Sequence, residues 1–212
     1  INEQLNAPVA VSTLKLNLFS GFPRVRIELN DVRIDDVTGN YEHLIQAQRV
    51  GLGMNILEVI KGTYNVEELA IERGSLHLYT DGRTTNWSLF KESENDSAPV
   101  DLKRVELSGI YLTYRDSHSK DDYSAQVNRA IISGRIATRS TYELTVNLEH
   151  ADATYEGTTM FNDAELDGVL SIEISEDDWA VQSSRTVFNG TAFSYNLSPK
   201  RTSVSAKNLD VV

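Results

Sequence analysis

The chain has four histidines, and their spacing decides whether they could bind a metal. They are separated by 34, 41 and 32 residues, in the order His43, His77, His118 and His150. None of them belongs to the H-x-x-x-H pattern of metal sites. His77 lies between Leu76 and Leu78 in an alternating segment, which places it on the polar side of a strand. The spacing predicts solvent-facing histidines, and it predicts no metal site and no cofactor.

Carboxylates are the other side chains with catalytic potential. They cluster at Asp35-Asp36, at Asp121-Asp122 and at residues 176–178. Paired carboxylates could form a glycosidase site or bind calcium. Each cluster directly follows an alternating apolar run, where turns are expected, and none fits the calcium loop D-x-[DN]-x-[DN]-G. With no cysteine, no G-x-S-x-G motif and no glycine-rich phosphate loop, the sequence predicts no catalytic residues and a protein that is not an enzyme.

Two features could mark a carbohydrate connection. Sequons occur at Asn86, Asn95, Asn189 and Asn196, and Trp87 follows an Asp-Gly turn signal at residues 81–82. An exposed tryptophan offers a flat face on which a sugar can stack. Because residues 89–90 (LF) extend the apolar cluster, the pattern favours a tryptophan that covers the edge of a sheet.

Composition excludes several function classes. The 212 residues (23.7 kDa) have 20 Lys+Arg against 31 Asp+Glu, a formal charge of −11, and 40% are hydrophobic. The chain is too apolar to be disordered and too acidic for a nucleic-acid binder. No run of 18 apolar residues occurs. Because it starts at Ile1 without a methionine or signal peptide, we expect a piece excised from a longer chain.

Apolar residues alternate with polar ones along most of the chain. Val25, Ile27 and Leu29 are interleaved with charged residues, and similar runs recur near residues 69, 76, 105 and 144. A period of two is typical of half-buried antiparallel strands. The sequence therefore predicts an all-β fold made of an antiparallel sheet with one apolar and one charged face.

An odd step interrupts this alternation at regular places. The apolar phase moves by three residues from Leu29 to Val32, from Leu107 to Ile110, and from Leu148 to Ala151, with a looser case around Gly74. Either a bulge restores the sidedness there, or the strand bends, and Asp31, Gly74 and Gly109 are residue types that such places favour. The spacing of about 40 residues suggests an array of similar β units.

Few other elements are expected. Residues 1–6 are predicted to be the last turns of a helix, and residues 55–61 a short helix with an asparagine N-cap and a glycine stop. Residues 91–99 (KESENDSAP) are polar and aperiodic, which indicates a long loop or a domain boundary. Since the bulged pattern resumes at Val105, the interpretation is a single domain over residues 1–212.

Four segments, in order, carry a resemblance to a known family. They are residues 14–34 (LKLNLFSGFPRVRIELNDVRI), residues 46–59 followed by Gly62, residues 66–78 (VEELAIERGSLHL), and Asp81-Gly82 with Asn86-Trp87. Together they resemble the N-terminal region of AsmA-family proteins of Gram-negative bacteria, particularly the Bacteroidetes type. The resemblance covers residues 1–90, and beyond Lys91 only the style of the repeat matches.

The resemblance implies a periplasmic protein held in the inner membrane by one transmembrane helix upstream of Ile1. It implies an architecture related to TamB-type bridge-like lipid-transfer proteins, in which a curled sheet (a β-groove, or β-taco) has an apolar floor. The implied role is outer-membrane biogenesis and phospholipid transport, with phospholipid acyl chains and an outer-membrane protein as partners. The family has no catalytic residues to carry over.

The apolar face leaves three arrangements open. One short internal helix is too small to cover it, so the sheet closes as a sandwich or barrel, or curls into a groove that admits acyl chains. The preferred hypothesis is a non-enzymatic lipid-handling groove; the alternative is an all-β carbohydrate- or protein-binding module that uses Asn86-Trp87 and the 91–99 loop. The predicted groove residues are Val25, Ile27, Leu29, Leu69, Ile71, Leu76, Leu78, Val105, Leu107, Ile110, Leu112 and Tyr114.

Overall fold

A computed structural model describes residues 8–17, 24–61, 65–88, 100–134, 140–175, 178–199 and 201–207. The predicted helix at residues 1–6 and the predicted loop at 91–99 lie outside these ranges. The described residues form one short helix, α1 (Ile56–Ile60), and one sheet of 12 strands. The strands are β1 (Val9–Ala10), β2 (Thr13–Asn17), β3 (Arg24–Asp35), β4 (His43–Asn55), β5 (Val66–Thr80), β6 (Val100–Asp116), β7 (Asp121–Gly134), β8 (Ser140–Tyr155), β9 (Thr158–Ile174), β10 (Trp179–Phe188), β11 (Thr191–Ser198) and β12 (Arg201–Lys207).

Strand order follows the chain from β3 to β12. β1 and β2 both pair with β3, so together they form one interrupted edge strand. All pairs are antiparallel except β5 with β6, which run parallel. The predicted all-β class is confirmed, and the sheet is mostly antiparallel.

The parallel pair departs from the antiparallel sheet predicted from alternation. A parallel neighbour needs a connection that returns along the whole strand, whereas an antiparallel neighbour needs only a tight turn. Nineteen residues, 81–99, separate β5 from β6, and the polar 91–99 segment belongs to this return. The length of that segment was the available signal for a crossover.

The odd steps in the sequence form one line of irregular positions across the sheet. In β3–β6, Asp31, Gln48, Arg73 and Gly109 lie side by side, skipped by the paired positions on either side of them. The line continues through β7–β9 with register shifts at Asn128, His150 and Asp163. We call these seven residues the bulge row. Because neighbouring strands from β3 to β7 are irregular at the same level, they keep their register, whereas on β8 and again on β9 the irregular position lies one level further along and the register shifts.

Backbone conformation shows how the bulge row restores the sidedness. Asp31, Arg73, Gly109, His150 and Asp163 have φ angles of 52°, 53°, 62°, 50° and 53°. One residue in this left-handed conformation turns the chain so that the next side chain returns to the original face. Val32 and Ile110 are 2% and 0% exposed as a result. Of the two alternatives from the sequence, the bulge is confirmed.

Gly74 has a different role from the one expected. The left-handed residue of β5 is Arg73, and Gly74 follows it. A Cβ atom at Gly74 would lie 1.9 Å from the Gln46 carbonyl oxygen. Glycine is therefore required here because the backbone of β4 approaches closely.

The apparent 40-residue repeat is a consequence of this row. Leu29, Ile71 and Leu107 occupy the same level of the sheet, joined through Val50 of β4. The repeating unit is thus the single strand. The spacing of about 40 residues is the distance along the chain from one strand to the second strand after it, or across one strand plus the 81–99 connection.

The sheet is a single layer that is not strongly curled. Every pair of elements with substantial contact is a pair of sheet neighbours, apart from α1 with β4. The accessible surface is 13886 Å², against about 9,800 Å² for a compact monomer of this mass. The curled groove predicted from sequence is therefore an open face in this structure.

The helix α1 is where the sequence predicted it. The Asn55 Oδ1 accepts a hydrogen bond from the Leu57 amide at 3.0 Å, which caps the helix. Leu57 and Ile60 remain 49% and 75% exposed. Because α1 has only five residues and contacts β4, it leaves most of the sheet uncovered.

We expect the bulge at Gly109 to be specific for residues that tolerate a positive φ. Gly109→Val should lower the free energy of unfolding by about 1–2 kcal/mol, because a β-branched residue is strained in this conformation. Gly109→Asn should cost clearly less, since asparagine visits this region readily. Urea unfolding of both variants checks the order; equal losses would contradict a left-handed requirement.

Candidate functional site

The two faces of the sheet differ in chemistry at every level. Directly paired residues share a face, so the register assigns each side chain. One face has aliphatic and aromatic side chains from β3 to β11, and we call it the apolar face. The opposite face, the polar face, has mostly charged and amide side chains between β3 and β9.

The apolar face consists of levels that run across the strands. The level nearest α1 contains Ile27, Leu52, Leu69, Val105, Ile132 and Leu144. The next level contains Leu29, Val50, Ile71, Leu107, Ala130 and Val146. The level after it, which on β3–β7 lies across the bulge row, contains Val32, Ala47, Gly74, Ile110, Val127, Leu148 and Leu166. Beyond these come Ile34, Ile45, Leu76, Leu112 and Ala125, and finally Leu78, Tyr114, Tyr123, Ala153 and Phe161.

Exposure on this face increases from the centre to the margins. Ile110 and Val127 are 0% and 1% exposed, although no second layer lies on them among the described residues. Ile132, one level from the α1 end, is 39% exposed. At the outer strands, large apolar side chains are open to solvent: Leu14, Ile174, Trp179 and Val204, at 59%, 51%, 47% and 61%.

All twelve predicted groove residues lie on this face. Leu29, Leu69, Ile71, Leu76, Leu78, Val105, Leu107, Ile110 and Leu112 belong to its central cluster. Val25 is buried opposite Met54, Ile27 is half-buried opposite Leu52, and Tyr114 lies in the last level. Their position on one apolar surface is a fact of the structure, and their role in binding lipid stays a prediction.

Sequence reasoning missed the contributions of β4 and β7. Val50, Val127 and Ala130 are buried in the central cluster. The signal was available, because the same three-residue step separates Ala47 from Val50 and Val127 from Ala130.

The α1 end of the apolar face contains a buried charge. Glu67 is 9% exposed, and its Oε1 accepts a hydrogen bond from Lys103 Nζ of β6. Both residues have the same parity as the apolar positions of their strands, Leu69 and Val105. The apolar surface on β6 therefore starts beyond an ion pair at Lys103.

The opposite end of the apolar face is aromatic. The Trp87 and Tyr114 ring centroids are 6.1 Å apart, and those of Tyr114 and Tyr123 are 6.0 Å apart. Burial raises the pKa of Tyr114, and the nearby Asp116 and Asp121 carboxylates raise it further. The face thus ends in rings whose hydroxyl groups lie near negative charge.

Ion pairs lie on the polar face. Two of them join neighbouring strands: Arg49 Nη1 lies 3.0 Å from Glu72 Oε2, and Arg129 lies 3.3 Å from Glu106. Within β6, Arg104 lies 3.2 Å from the same Glu106. Opposite charges on neighbouring strands favour this register. This face is therefore well solvated and is a poor surface for an apolar ligand.

The acidic clusters stabilise turns and strand ends. Burial acts to raise the pKa of Asp36, but hydrogen bonds from Thr38, Tyr41 and Asn40 outweigh it and hold the pKa below its usual value. Asp122 pairs with Arg115 at 2.7 Å. Residues 176–177 lie outside the described ranges. Within those ranges, no three His, Asp or Glu side chains are arranged to hold a metal ion.

Asn86 is a structural residue. It is 0% exposed, its Nδ2 donates to the His77 carbonyl at 2.8 Å, and its Oδ1 accepts from the Tyr79 amide at 2.9 Å. The β4–β5 pairing ends at Leu76, so the side chain of Asn86 continues the ladder along this edge of β5. A buried amide with two such bonds is inaccessible to glycosylation in the folded protein. Trp87 packs near Tyr114, as the sheet-edge interpretation predicted.

His77 lies in a small aromatic cluster on the polar face. Its ring stacks on Tyr41 at 4.8 Å and meets the edge of Tyr111 at 6.3 Å, and its Nδ1 lies 2.8 Å from Thr113 Oγ1. Burial lowers the pKa of His77, and the neighbouring His43 lowers it further. The polar side was predicted correctly, but the ring is half-buried rather than solvent-facing.

A depression of about 280 Å³ lies where the bulge row crosses β3, β4 and β5. Its lining includes Asp31, Gln48 and Arg73, and Arg73 Nε already donates to Gln48 Oε1 at 2.7 Å. This volume is below that of most small-molecule sites. The apolar face is therefore the candidate functional site.

Comparison with protein-family models, with curated proteins and with solved structures gave no match to this chain. The resemblance to AsmA-family proteins thus stays a prediction. No helix among the described residues has the length and apolar character needed to cross a bilayer.

Replacing Asn86 should destabilise the end of β5. We expect Asn86→Asp to lower the free energy of unfolding by about 2–3 kcal/mol, because the carboxylate cannot donate to the His77 carbonyl and a buried acceptor loses its partner. The adjacent variant Thr85→Ala should stay within about 0.5 kcal/mol of wild type. Chemical denaturation measures both; a silent Asn86→Asp variant would contradict the role of this side chain.

Protonation of His77 should destabilise the fold. Its pKa is lower in the folded state than the ordinary 6.5, so its contribution is complete above pH 6.5 and is lost as the pH falls from 6.5 to the folded value. Relative to wild type, His77→Phe should therefore gain stability as the pH decreases from 7.5 to 5. Denaturant unfolding at several pH values tests this, and parallel curves would contradict it. His150 is present in both proteins, so its own contribution to the pH dependence of stability cancels in the comparison.

Proposed function

We propose that this chain is a non-enzymatic lipid-handling module whose apolar face shields phospholipid acyl chains from water. One observation carries the proposal: the apolar face runs across the sheet in continuous levels, and the described residues place no second layer on it. Its central residues are buried, but large apolar side chains at its margins are exposed, such as Leu14 at 59% and Val204 at 61%, and exposed apolar surface of this kind marks an interaction site. A linear hydrocarbon fits it because the levels are regular and without polar interruption between the two ends.

The dimensions of the face suit an acyl chain. On β6, the apolar positions extend from Val105 to Tyr114, about 30 Å at ~3.3 Å per residue. One leaflet of a bilayer has a hydrocarbon depth of about 15 Å, half of the usual core. Each methylene group removed from water contributes about 0.8 kcal/mol. Contact along even part of this length supports reversible binding.

A closed groove is the finer form of this proposal. The structure has an open face, so a groove requires the sheet to bend further around a bound chain. Bulges are the places where strands bend and twist most. The bulge row crosses β3–β7 at one level and moves one level further along on β8 and again on β9, and it is the line along which such bending would concentrate.

The family resemblance gives the proposal its setting. In an AsmA-like protein, this module would lie in the periplasm next to an inner-membrane anchor upstream of Ile1. It would pass phospholipid toward the outer membrane, together with an outer-membrane protein partner. The formal charge of −11 disfavours nucleic acid and tight contact with anionic membrane surfaces.

Two adjacent isoleucines of β7 allow a matched test. Ile132 lies on the apolar face opposite Val105 and Leu144, while Ile131 lies on the polar face opposite Glu106 and Thr145. Ile132→Lys should reduce phospholipid retention at least about tenfold, since a charge in the path of the chain loses the burial of two or more methylene groups. Ile131→Lys adds the same charge and should retain lipid like wild type.

The measurement is native mass spectrometry of delipidated protein after incubation with phospholipid vesicles, with circular dichroism to verify folding. Wild-type protein that takes up no lipid would contradict the proposal. So would equal retention by two folded lysine variants, because the face would then make no difference.

A further inference from the structure

The last two levels of the apolar face show a graded change in chemistry. Along β6, Leu112 is followed on the same face by Tyr114 and then by Asp116. On β7, Tyr123 lies opposite Tyr114, and Asp121 lies opposite Asp116. The surface therefore passes from aliphatic to aromatic to carboxylate within four residues of one strand. On β6, the described α1 end passes from Val105 to Lys103 of the ion pair without an aromatic residue between them; Tyr142 of β8, opposite Gly134 and Ile172, is an aromatic residue of this face at that end.

The aromatic level offers open ring faces. Adjacent rings in the series Trp87, Tyr114, Tyr123 are tilted by 33° and 32° at centroid distances near 6 Å. Trp87 is 39% exposed, and Tyr155, on the neighbouring strand, is 51% exposed. These two side chains are exposed and Tyr114 and Tyr123 are half-buried, and aromatic ring faces carry the negative potential that attracts a cation.

The carboxylates beyond the rings are fixed in position. Asp116 Oδ1 accepts from the His118 and Ser119 amides at 2.8 and 3.2 Å. Asp121 Oδ1 accepts from the Glu156 amide at 2.8 Å, and its Oδ2 accepts from Ser119 Oγ at 2.8 Å. These bonds hold two negative charges at one edge of the aromatic level.

Other charges complete this edge. The Glu156 carboxylate raises the pKa of Tyr155 through its charge and a hydrogen bond, which places it beside that ring. Lys120, in the same turn as His118, supplies one cation. The net charge of Asp116, Asp121, Glu156 and Lys120 is negative, and an anionic headgroup would meet repulsion here.

We propose that this end of the apolar face recognises the ammonium group of a zwitterionic phospholipid, with the acyl chains directed toward α1. A substituted ammonium ion is attracted to ring faces and to carboxylates, and the aliphatic levels adjoin the rings on the side where the chains would start. The inference rests on the lipid-handling function and adds its headgroup class and orientation.

The test compares dihexanoyl-phosphatidylcholine with dihexanoyl-phosphatidylglycerol, both below the concentration at which they form micelles. Trp179→Phe leaves Trp87 as the single tryptophan reporter, since the chain has two. We expect the phosphatidylcholine to bind about tenfold more tightly, the size that a partly desolvated cation–π contact provides.

Three variants in this background separate headgroup from chain recognition. Tyr114→Leu/Tyr123→Leu keeps the apolar surface and should bring the ratio of the two dissociation constants close to one. Asp116→Asn/Asp121→Asn removes both charges while keeping one acceptor oxygen at each position, and it should reduce the ratio as well. Tyr111→Leu removes an exposed tyrosine from the polar face and should leave the ratio unchanged.

The outcomes separate this inference from the proposed function. Tight binding of both lipids with a ratio near one, or a preference for phosphatidylglycerol, overturns the inference and leaves lipid handling intact. If neither lipid binds, both the headgroup inference and the proposed lipid-handling function are overturned. If phosphocholine, which has no acyl chains, binds as tightly as dihexanoyl-phosphatidylcholine, recognition of a lipid headgroup is overturned.

Discussion

The bulge row, with left-handed residues in β3, β5, β6, β8 and β9, is the constraint on which the rest of this sheet depends. A strand has a side-chain period of two, so one extra residue would move every later side chain to the other face. Asp31, Gly109 and His150 absorb the extra residue with φ angles of 52°, 62° and 50°. One bulge alone would break the register with both neighbours. Irregular positions at one level preserve the register from β3 to β7, whereas on β8 and again on β9, where they lie one level further along, the register shifts. The cost of the left-handed conformation, about 1–2 kcal/mol at each non-glycine residue, is offset by burial of the apolar levels on either side.

The polar face fixes which side of this single layer meets water. Ion pairs such as Arg49–Glu72 and Arg129–Glu106 are part-exposed, at 3.0 and 3.3 Å, and each contributes at most about 1 kcal/mol. Their effect is to specify which face of the sheet is solvent-facing. The opposite arrangement would bury many charged side chains and expose the aliphatic levels. Because the charges commit one face to solvent, the other face is the one that the proposed function assigns to an apolar ligand. Exposed residues at its margins, such as Val204 at 61%, show that the sheet alone does not complete the burial.

The sequence was informative wherever the deciding interaction was local. Alternation predicted the strands, the three-residue step predicted the bulges at Asp31 and Gly109, and the N-cap at Asn55 predicted α1. Prediction failed where distant segments decide the outcome. The close approach of Gln46 to Gly74, the ladder continued by Asn86 and the parallel pairing of β5 with β6 all depend on strands brought together only by folding. The curvature of the sheet belongs to the same class, because it sums small twists over all the strands.

Discrimination among lipids cannot arise from the centre of the apolar face. Contacts between Ile110 or Val127 and a hydrocarbon are non-directional, and they contribute the same free energy for any acyl chain of a given length. Selectivity requires groups that respond to charge or shape, and along β6 and β7 these lie at the two ends. At the α1 end, Lys103 and Glu67 already neutralise each other. At the other end, Tyr114 and Tyr123 adjoin the Asp116 and Asp121 carboxylates, which accept hydrogen bonds from residues 118–119 and from the Glu156 amide of the next turn. Under the proposed function, the asymmetry between the ends would give a bound lipid a direction on a sheet whose central levels would accept either orientation.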